Sequence, residues 1–159
     1  MQRMDIELWI FLSYVVTVIG FPLAIAVFLY EKRKERVLEE EEVFELLSGS
    51  YQDFLKIALE NPDLRLLSKA RTRDLTEEQQ ERMRAIFGLL MALFERAYLL
   101  LYDPGSKGKQ ARRWRSWEDF MQEWCERGDF REALPELLRG EDPEFAAYIR
   151  KLADVALQG

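Results

Sequence analysis

From Leu8 to Tyr30 the chain reads LWIFLSYVVTVIGFPLAIAVFLY, a run of 23 residues without a charged side chain. As an α-helix this run would be about 35 Å long, slightly more than the roughly 30 Å hydrocarbon layer of a bilayer. Trp9 and Tyr30 stand near its two ends, where amphipathic aromatic rings favour the membrane interface. The run therefore predicts a single transmembrane helix, and residues 1–30 are interpreted as a membrane anchor.

Two other interpretations of this run fit less well. Ala24-Ile25-Ala26 resembles a signal-peptide cleavage site, but the apolar run continues from Val27 to Tyr30. The basic residues also follow the run, whereas a signal peptide carries them in front. A core helix of a globular domain rarely extends so far without a charge.

The residues that flank the run predict its orientation. The preceding segment has Arg3 together with Asp5 and Glu7, whereas four basic residues lie within seven positions after the run. By the positive-inside rule the N-terminus lies outside and the remainder of the chain lies in the cytoplasm, at the inner (cytoplasmic) membrane. The same basic residues are expected to bind anionic headgroups of the lipid bilayer. This basic cluster consists of Lys32, Arg33, Lys34 and Arg36.

One face of the predicted membrane helix carries small and hydroxyl side chains at spacings of four, three and four. Such residues let two helix backbones approach closely in lipid, which predicts a homo-oligomer. The alternative is that Ser, Thr and Gly simply occur in membrane helices. The predicted helix-association face consists of Ser13, Thr17, Gly20 and Ala24.

The rest of the chain is predicted to be all-α, because no useful length of it alternates with period two. Residues 31–50 are interpreted as a charged juxtamembrane helix that Ser48-Gly49-Ser50 interrupts, and residues 51–159 as a cytoplasmic helical bundle. The first bundle helix should end at Asn61-Pro62-Asp63, since the residue before proline disfavours the helical region.

Later helix boundaries are predicted from capping residues. Thr76 to Gln79 reads as a capping box at the start of a central helix that runs to about Tyr102. Because its apolar residues cover more than one face, other helices are expected to surround it. Three shorter helices should follow, after a polar loop at Ser106–Ala111. Their predicted caps are Ser116, Asp129 and Asp142. The predicted core includes Leu55, Leu59, Ile86, Leu89, Leu90, Leu93, Phe94 and Tyr98.

The composition argues against several function classes. Residues 31–159 hold 22 Lys and Arg against 27 Asp and Glu, a net charge of −5, which disfavours general nucleic-acid binding. The chain has no His and one cysteine, Cys125, so most zinc sites and nucleophile–histidine pairs are excluded. No glycine-rich phosphate-binding motif is present. We therefore predict no metal, no cofactor, no catalytic residues and no enzymatic activity.

Two segments remain candidates for ligand or partner binding. Glu95 and Arg96 interrupt the most apolar part of the central helix, so both are expected to meet partners across the bundle. The alternative is that they lie on an exposed edge of the helix. An arginine in a helical pocket can also recognise phosphate or carboxylate. The segment KGKQARRWRSW (107–117) combines basic and aromatic residues, which suit a headgroup, a nucleotide or an RNA strand. The alternative is a solvated loop whose tryptophans pack inward. The predicted ligand or partner patch consists of Arg96, Arg112, Arg113, Trp114, Arg115 and Trp117.

Three segments carry a resemblance to known proteins, namely YQDFLKIALENPDL (51–64), LFERAYLLLYD (93–103) and WRSWEDFMQEW (114–124). They resemble small bacterial single-pass membrane proteins of unknown function that have a cytoplasmic helical domain. The layout is also similar to that of membrane-anchored accessory proteins of RNA-targeting CRISPR systems, which assemble into pores. The absence of His separates this chain from the helical ribonuclease-like motif of that group.

Besides an enzyme or ligand sensor that would use Arg96 or residues 112–117, two functions are consistent with this sequence. The first is a non-enzymatic, membrane-anchored interaction or scaffold module that self-associates and binds a protein partner. The alternative is an oligomeric pore that perturbs the membrane in antiviral defence, with Ser13 and Thr17 lining a water-filled path.

Overall fold

The computed structural model describes the backbone of residues 2–157 and the side chains of Trp9, Tyr14 and residues 21–157. The chain divides into two compact units, Met1–Val43 and Phe44–Gly159, and each is described by itself. Over the described backbone the elements are five α-helices and one short 3-10 helix, without a strand. The prediction of an all-α chain is therefore confirmed.

The helices have the following bounds. Helix α1 is Gln2–Glu60, α2 is Glu77–Leu101, α3 is Lys109–Cys125, α4 is Gly128–Leu137 and α5 is Pro143–Ala156. The 3-10 helix, Pro62–Leu64, follows α1.

Across the described part of the chain, none of the helices combines the length and the apolar character needed to cross a lipid bilayer. Within the predicted transmembrane run, residues 8, 10–13 and 15–20 lie outside the described side chains. Every side chain of residues 21–30 is described and exposed.

The predicted break at Ser48-Gly49-Ser50 is wrong, because α1 continues through these residues. Ser48 Oγ donates to the carbonyl of Phe44 at 2.7 Å, and Ser50 Oγ donates to that of Leu46 at 3.0 Å. The hydroxyl groups are thus satisfied inside the helix. A single glycine costs only about 1 kcal/mol relative to alanine, which a long helix tolerates.

The end of α1 and the start of α2 lie where the sequence predicts. Helix α1 ends at Glu60, directly before Asn61-Pro62. At the start of α2, Thr76 Oγ1 accepts from the Gln79 amide at 3.2 Å, and Gln79 Oε1 accepts from the Thr76 amide at 2.9 Å. The capping box is therefore confirmed.

Helix α3 begins earlier than predicted. It starts at Lys109, so the polar loop is shorter than Ser106–Ala111 and Ser116 lies inside the helix. Gly108 takes a φ of 66° directly before Lys109, a backbone conformation that glycine adopts without strain. The cap predicted at Ser116 is wrong.

Of the caps predicted for the last two helices, Asp129 is wrong and Asp142 is confirmed. Asp129 lies in the first turn of α4, and the cap position itself is Arg127. Asp142 caps α5 as predicted, because its Oδ1 accepts from the amides of Glu144 at 2.9 Å and Phe145 at 3.0 Å. Gly140, with a φ of 87°, lies in the turn between these helices.

Aromatic side chains fill much of the core of the bundle. One group joins α1, α2, α3 and α4, and a second joins α2, α3 and α5. The first comprises Tyr51, Phe54, Phe87, Trp117, Phe120, Trp124 and Phe130. The second comprises Tyr98, Tyr102, Trp114, Phe145 and Tyr148.

The central helix is not surrounded by other helices, which corrects the prediction. Helix α2 packs against α3, α4 and α5, but another face of it is solvent-exposed. Leu89, predicted to be core, is 56% exposed, and Leu59 on α1 is 66% exposed. Three short helices are enough to cover one side of a 25-residue helix but not its full circumference.

Candidate functional site

The predicted helix-association face lies mostly outside the described side chains. Ser13, Thr17 and Gly20 belong to this undescribed set, and Ala24 is exposed. The close approach of two membrane helices stays a prediction, and so does the pore that rests on Ser13 and Thr17.

The basic cluster is exposed at all four of its positions, residues 32, 33, 34 and 36. Lys32 Nζ lies 5.6 Å from the centre of the Phe28 ring. Directly before the cluster, the large apolar side chains of residues 21–30 are between 45% and 70% exposed. An exposed apolar helical segment is thus followed, after one acidic residue, Glu31, by exposed cations.

Glu95 has the partners that the sequence predicts, whereas Arg96 does not. Glu95 Oε1 accepts from the Asp142 amide at 2.5 Å, which joins α2 to the start of α5. A hydrogen bond with Glu95, together with burial, raises the pKa of Glu141 to about 7. Arg96 is exposed, and it forms no hydrogen bond or ion pair with any described residue. For Arg96 the structure favours the alternative of an exposed helix edge over a partner across the bundle.

The predicted patch of Arg96 and the basic segment does not form one surface. Trp114 and Trp117 are 7% and 2% exposed and belong to the aromatic core. The Arg113 guanidinium lies over the Phe44 ring, 4.8 Å from its centre. Arg112 and Arg115 are exposed. The structure thus favours the interpretation in which the tryptophans pack inward and the cations face solvent.

Arg127, which the sequence analysis did not single out, makes six side-chain hydrogen bonds within the bundle. Its side chain is 2% exposed. Nε and Nη2 donate to Asp129 at 2.9 and 2.6 Å. Nη1 donates to the carbonyls of Arg65, Leu66 and Ser68 at 2.8, 3.1 and 2.5 Å.

This arrangement makes Arg127 a structural residue. Nη2 also reaches Thr72 Oγ1 at 3.3 Å, so each of the three guanidinium nitrogens has a partner. The Thr72 hydroxyl in turn donates to the carbonyl of Leu64 at 2.7 Å. Arg127 therefore fixes the loop between α1 and α2 to the joint between α3 and α4, with no donor left for a ligand. The segment Glu126-Arg127-Gly128 carries no local signal of this role, because the acceptors lie about 60 residues earlier.

A cleft of about 620 Å³ lies between residues 71–75, α2 and α4. Its lining carries charges of both signs, and the Arg71 Nη1 to Glu132 Oε1 pair lies at its edge at 2.6 Å. Such a mixed lining does not favour one class of charged ligand.

Metal and thiol chemistry have no visible basis in the described residues. Within them, no three His, Cys, Asp or Glu side chains are grouped closely enough to hold a metal ion. Cys125 is fully buried, and its burial raises the pKa of the thiol to about 12. At neutral pH it is therefore a protonated, inaccessible side chain, which is not a nucleophile.

Comparison with known proteins adds no family. No protein-family model, curated protein or solved structure matches the chain. A functional assignment therefore depends on the chain's own residues.

Proposed function

We propose that this protein is a non-enzymatic interaction module, held at the inner membrane by its N-terminal helix, whose helical bundle self-associates in the cytoplasm. One observation carries the proposal. Residues 21–30 expose seven large apolar side chains, and only Glu31 separates them from the exposed basic cluster.

The energetics favour lipid as the surroundings of these side chains. Leaving apolar surface in water costs about 25 cal/mol per Å². Phe21, Phe28 and Tyr30 alone are 69%, 56% and 70% exposed. Contiguous apolar surface of this kind marks a contact with membrane or protein. The cations of the basic cluster, which begins two residues after Tyr30, suit anionic headgroups. Each charge near the surface contributes about 1 kcal/mol to membrane binding.

The bundle supports the role of an interaction module. The buried guanidinium of Arg127 makes its hydrogen bonds within the bundle, and the Cys125 thiol is buried and protonated at neutral pH. What the bundle offers to other molecules is surface, including exposed leucines on α1 and α2. Exposed leucines grouped on one helix face are typical of protein–protein contacts.

Extraction of membranes with alkaline carbonate tests the anchor. Ile19→Arg combined with Leu23→Arg places two cations in the apolar run, each costing about 3 kcal/mol at the centre of a membrane helix. We expect the wild-type chain to stay with the membrane and this double variant to be released. Leu46→Arg combined with Leu59→Arg changes two exposed leucines elsewhere on α1 and should leave retention unchanged. Release of the wild-type chain would overturn the anchor.

Two further measurements test the remaining parts of the proposal. A green fluorescent protein fused after Gly159 should fluoresce, and alkaline phosphatase fused there should be inactive, if the bundle is cytoplasmic. The opposite result would reverse the orientation.

Light scattering of the detergent-solubilised chain should give a mass above that of one copy, and a strictly monomeric particle would remove self-association from the proposal.

A further inference from the structure

The exposed face of α2 carries an apolar stripe with one cation in it. Its residues follow at spacings of four, three, four and three, so they share one helix face. Leu89 and Leu99 are 56% and 59% exposed, and the adjacent Leu100 is 51% exposed. This α2 stripe consists of Ala85, Leu89, Ala92, Arg96 and Leu99, all of them exposed.

Gly88 beside this stripe is not required by the protein's own fold. A Cβ placed on Gly88 would meet nothing within 4 Å, and its φ lies in the ordinary helical range. Glycine inside a helix is less stable than alanine. The missing side chain leaves an open notch between Ala85 and Ala92, where another helix can approach closely.

The charges along the face are arranged for pairing with a copy of itself. Glu81 and Arg96 are both exposed, and neither has an ion-pair partner in the described part of the chain. They lie 15 positions apart on the same side of α2, which corresponds to about 22 Å along the helix. A parallel copy in the same register would place Arg96 on Arg96 and Glu81 on Glu81, which is repulsive.

An antiparallel copy of α2, centred between Gly88 and Leu89, resolves these features together. Residues then pair so that their numbers add to 177. Each Arg96 lies opposite the partner's Glu81, and each Ala85 lies opposite the partner's Ala92. Each Leu89 projects over the partner's Gly88 notch.

We propose that the α2 stripe is the self-association surface of the bundle and binds the same stripe of a second copy in antiparallel orientation. This inference rests on the self-association in the proposed function and specifies its surface. A single helix face buries less than the roughly 800 Å² per partner of a standard interface, so the contact is weak in solution. Confinement of both copies to one membrane, or to one detergent micelle, raises their effective concentration and makes such a contact sufficient.

Disulfide formation in membranes tests the geometry. Leu89 lies beside the proposed two-fold axis, so Leu89→Cys should form a cross-linked dimer under mild oxidation, because disulfides need Cα atoms within about 7 Å. Leu99→Cys is the matched control, since the two copies of residue 99 would be about 30 Å apart. The buried Cys125 should not react in the unmodified chain. A dimer with Leu99→Cys, or none with Leu89→Cys, would overturn the arrangement.

Charge reversal tests the predicted pairs. Glu81→Arg and Arg96→Glu should each lower the yield of the Leu89→Cys dimer at least threefold. Their combination should restore the yield, because it recreates both pairs with the signs exchanged. Arg139→Glu, an exposed charge outside α2, should leave the yield unchanged. Failure of the combined variant to recover while it remains folded by circular dichroism would argue against the pairs.

These results separate the inference from the proposed function. If light scattering shows the wild-type chain to be monomeric, and the Leu89→Cys variant gives no cross-linked dimer in membranes, the self-association is wrong. The inference about the α2 stripe is then wrong as well. If the wild-type chain is oligomeric but none of the α2 variants changes its mass or cross-linking, self-association stands and the α2 stripe is not its surface.

Discussion

At the scale of single residues, Arg127 shows how a buried charge can serve structure alone. The guanidinium neutralises Asp129 and satisfies backbone carbonyls of a loop that would otherwise hold unpaired acceptors. Removing one partner of such a set leaves the other buried without compensation, and this costs more than the set contributes. The residue was not predictable from sequence because, apart from Asp129, its partners come from a distant segment. Arg96, which the sequence singles out inside an apolar run, faces solvent instead.

Arg127→Met should lower the free energy of unfolding by about 3 to 5 kcal/mol, because Asp129 and three carbonyls lose their donors. Arg127→Lys should lower the free energy of unfolding somewhat less, since the lysine ammonium can still donate some of these hydrogen bonds. Urea unfolding of the detergent-solubilised chain, followed by tryptophan fluorescence, measures both changes. Arg139→Met removes an exposed arginine and should change stability by less than about 0.5 kcal/mol. Equal effects of Arg127→Met and Arg139→Met would refute the role of Arg127.

Cys125 should be unreactive in the folded chain, since it is fully buried and its thiol pKa is raised to about 12. A thiol reagent at pH 8 should modify less than about a tenth of the protein in native conditions and all of it in denaturant. Rapid native labelling, without loss of the circular dichroism signal, would mean that the region around α3 opens readily.

At the scale of elements, local hydrogen bonding decides which boundaries the sequence predicts. The capping box of α2, the stop at Asn61-Pro62 and the Asp142 cap of α5 each involve partners within four residues, so their sequence signals suffice. Ser48-Gly49-Ser50 misleads because its hydroxyl groups bond backwards into the helix. The exposed side of α2 was not predictable, since apolar spacing identifies apolar faces without telling which of them finds a neighbour.

The two helical glycines without a packing role offer a matched pair of variants. Gly88→Ala and Gly49→Ala should each raise the free energy of unfolding by about 0.5 to 1 kcal/mol, because neither Cβ meets an obstacle. Only Gly88→Ala fills the notch of the α2 stripe, so only this variant should lower self-association. Thermal unfolding and light scattering distinguish the two effects. A loss of association in both variants, or in neither, would speak against the notch.

The contact between Glu95 and Glu141 should make stability depend on pH. The pKa of Glu141 is raised from 4.5 to about 7 in the folded chain, so the folded state binds more protons than the unfolded state between these values. The contribution of Glu141 to the free energy of unfolding must therefore fall as the pH rises from about 4.5 to about 7. Glu141→Gln should reduce this slope, and Glu136→Gln should not. Unfolding curves across that range, compared between the variants, measure the difference.

At the scale of the whole molecule, the order of an apolar segment, a basic cluster and a core-forming bundle is readable from the sequence. The all-α class follows from that reading and is confirmed. Glu81, Gly88 and Arg96 carry no joint signal in the sequence, because an exposed face is defined only once α3, α4 and α5 have covered the rest of α2. The sequence therefore predicts how the bundle is built better than it predicts what the bundle contacts.

The basic cluster should determine the orientation of the whole chain. Changing Lys32, Arg33, Lys34 and Arg36 to Gln, with Asp5→Lys and Glu7→Lys on the other side of the run, reverses the bias of positive charge. We expect a substantial fraction of this variant to place the bundle outside, measured as alkaline phosphatase activity of the C-terminal fusion. A control that changes four exposed Lys or Arg of the bundle to Gln, at residues 107, 139, 150 and 151, should leave the fusion inactive. An unchanged orientation would show that the cluster does not direct insertion.

The Arg127 contacts also bear on the order in which parts of the chain can fold during synthesis. Their acceptors at Arg65, Leu66, Ser68 and Thr72 precede Arg127 by 62, 61, 59 and 55 residues. At roughly 5 to 20 residues per second, the loop leaves the ribosome about 3 to 12 seconds before the side chain that orders it. During that interval the loop is open to proteases and chaperones. The bundle therefore closes late, only after α4 has begun to emerge.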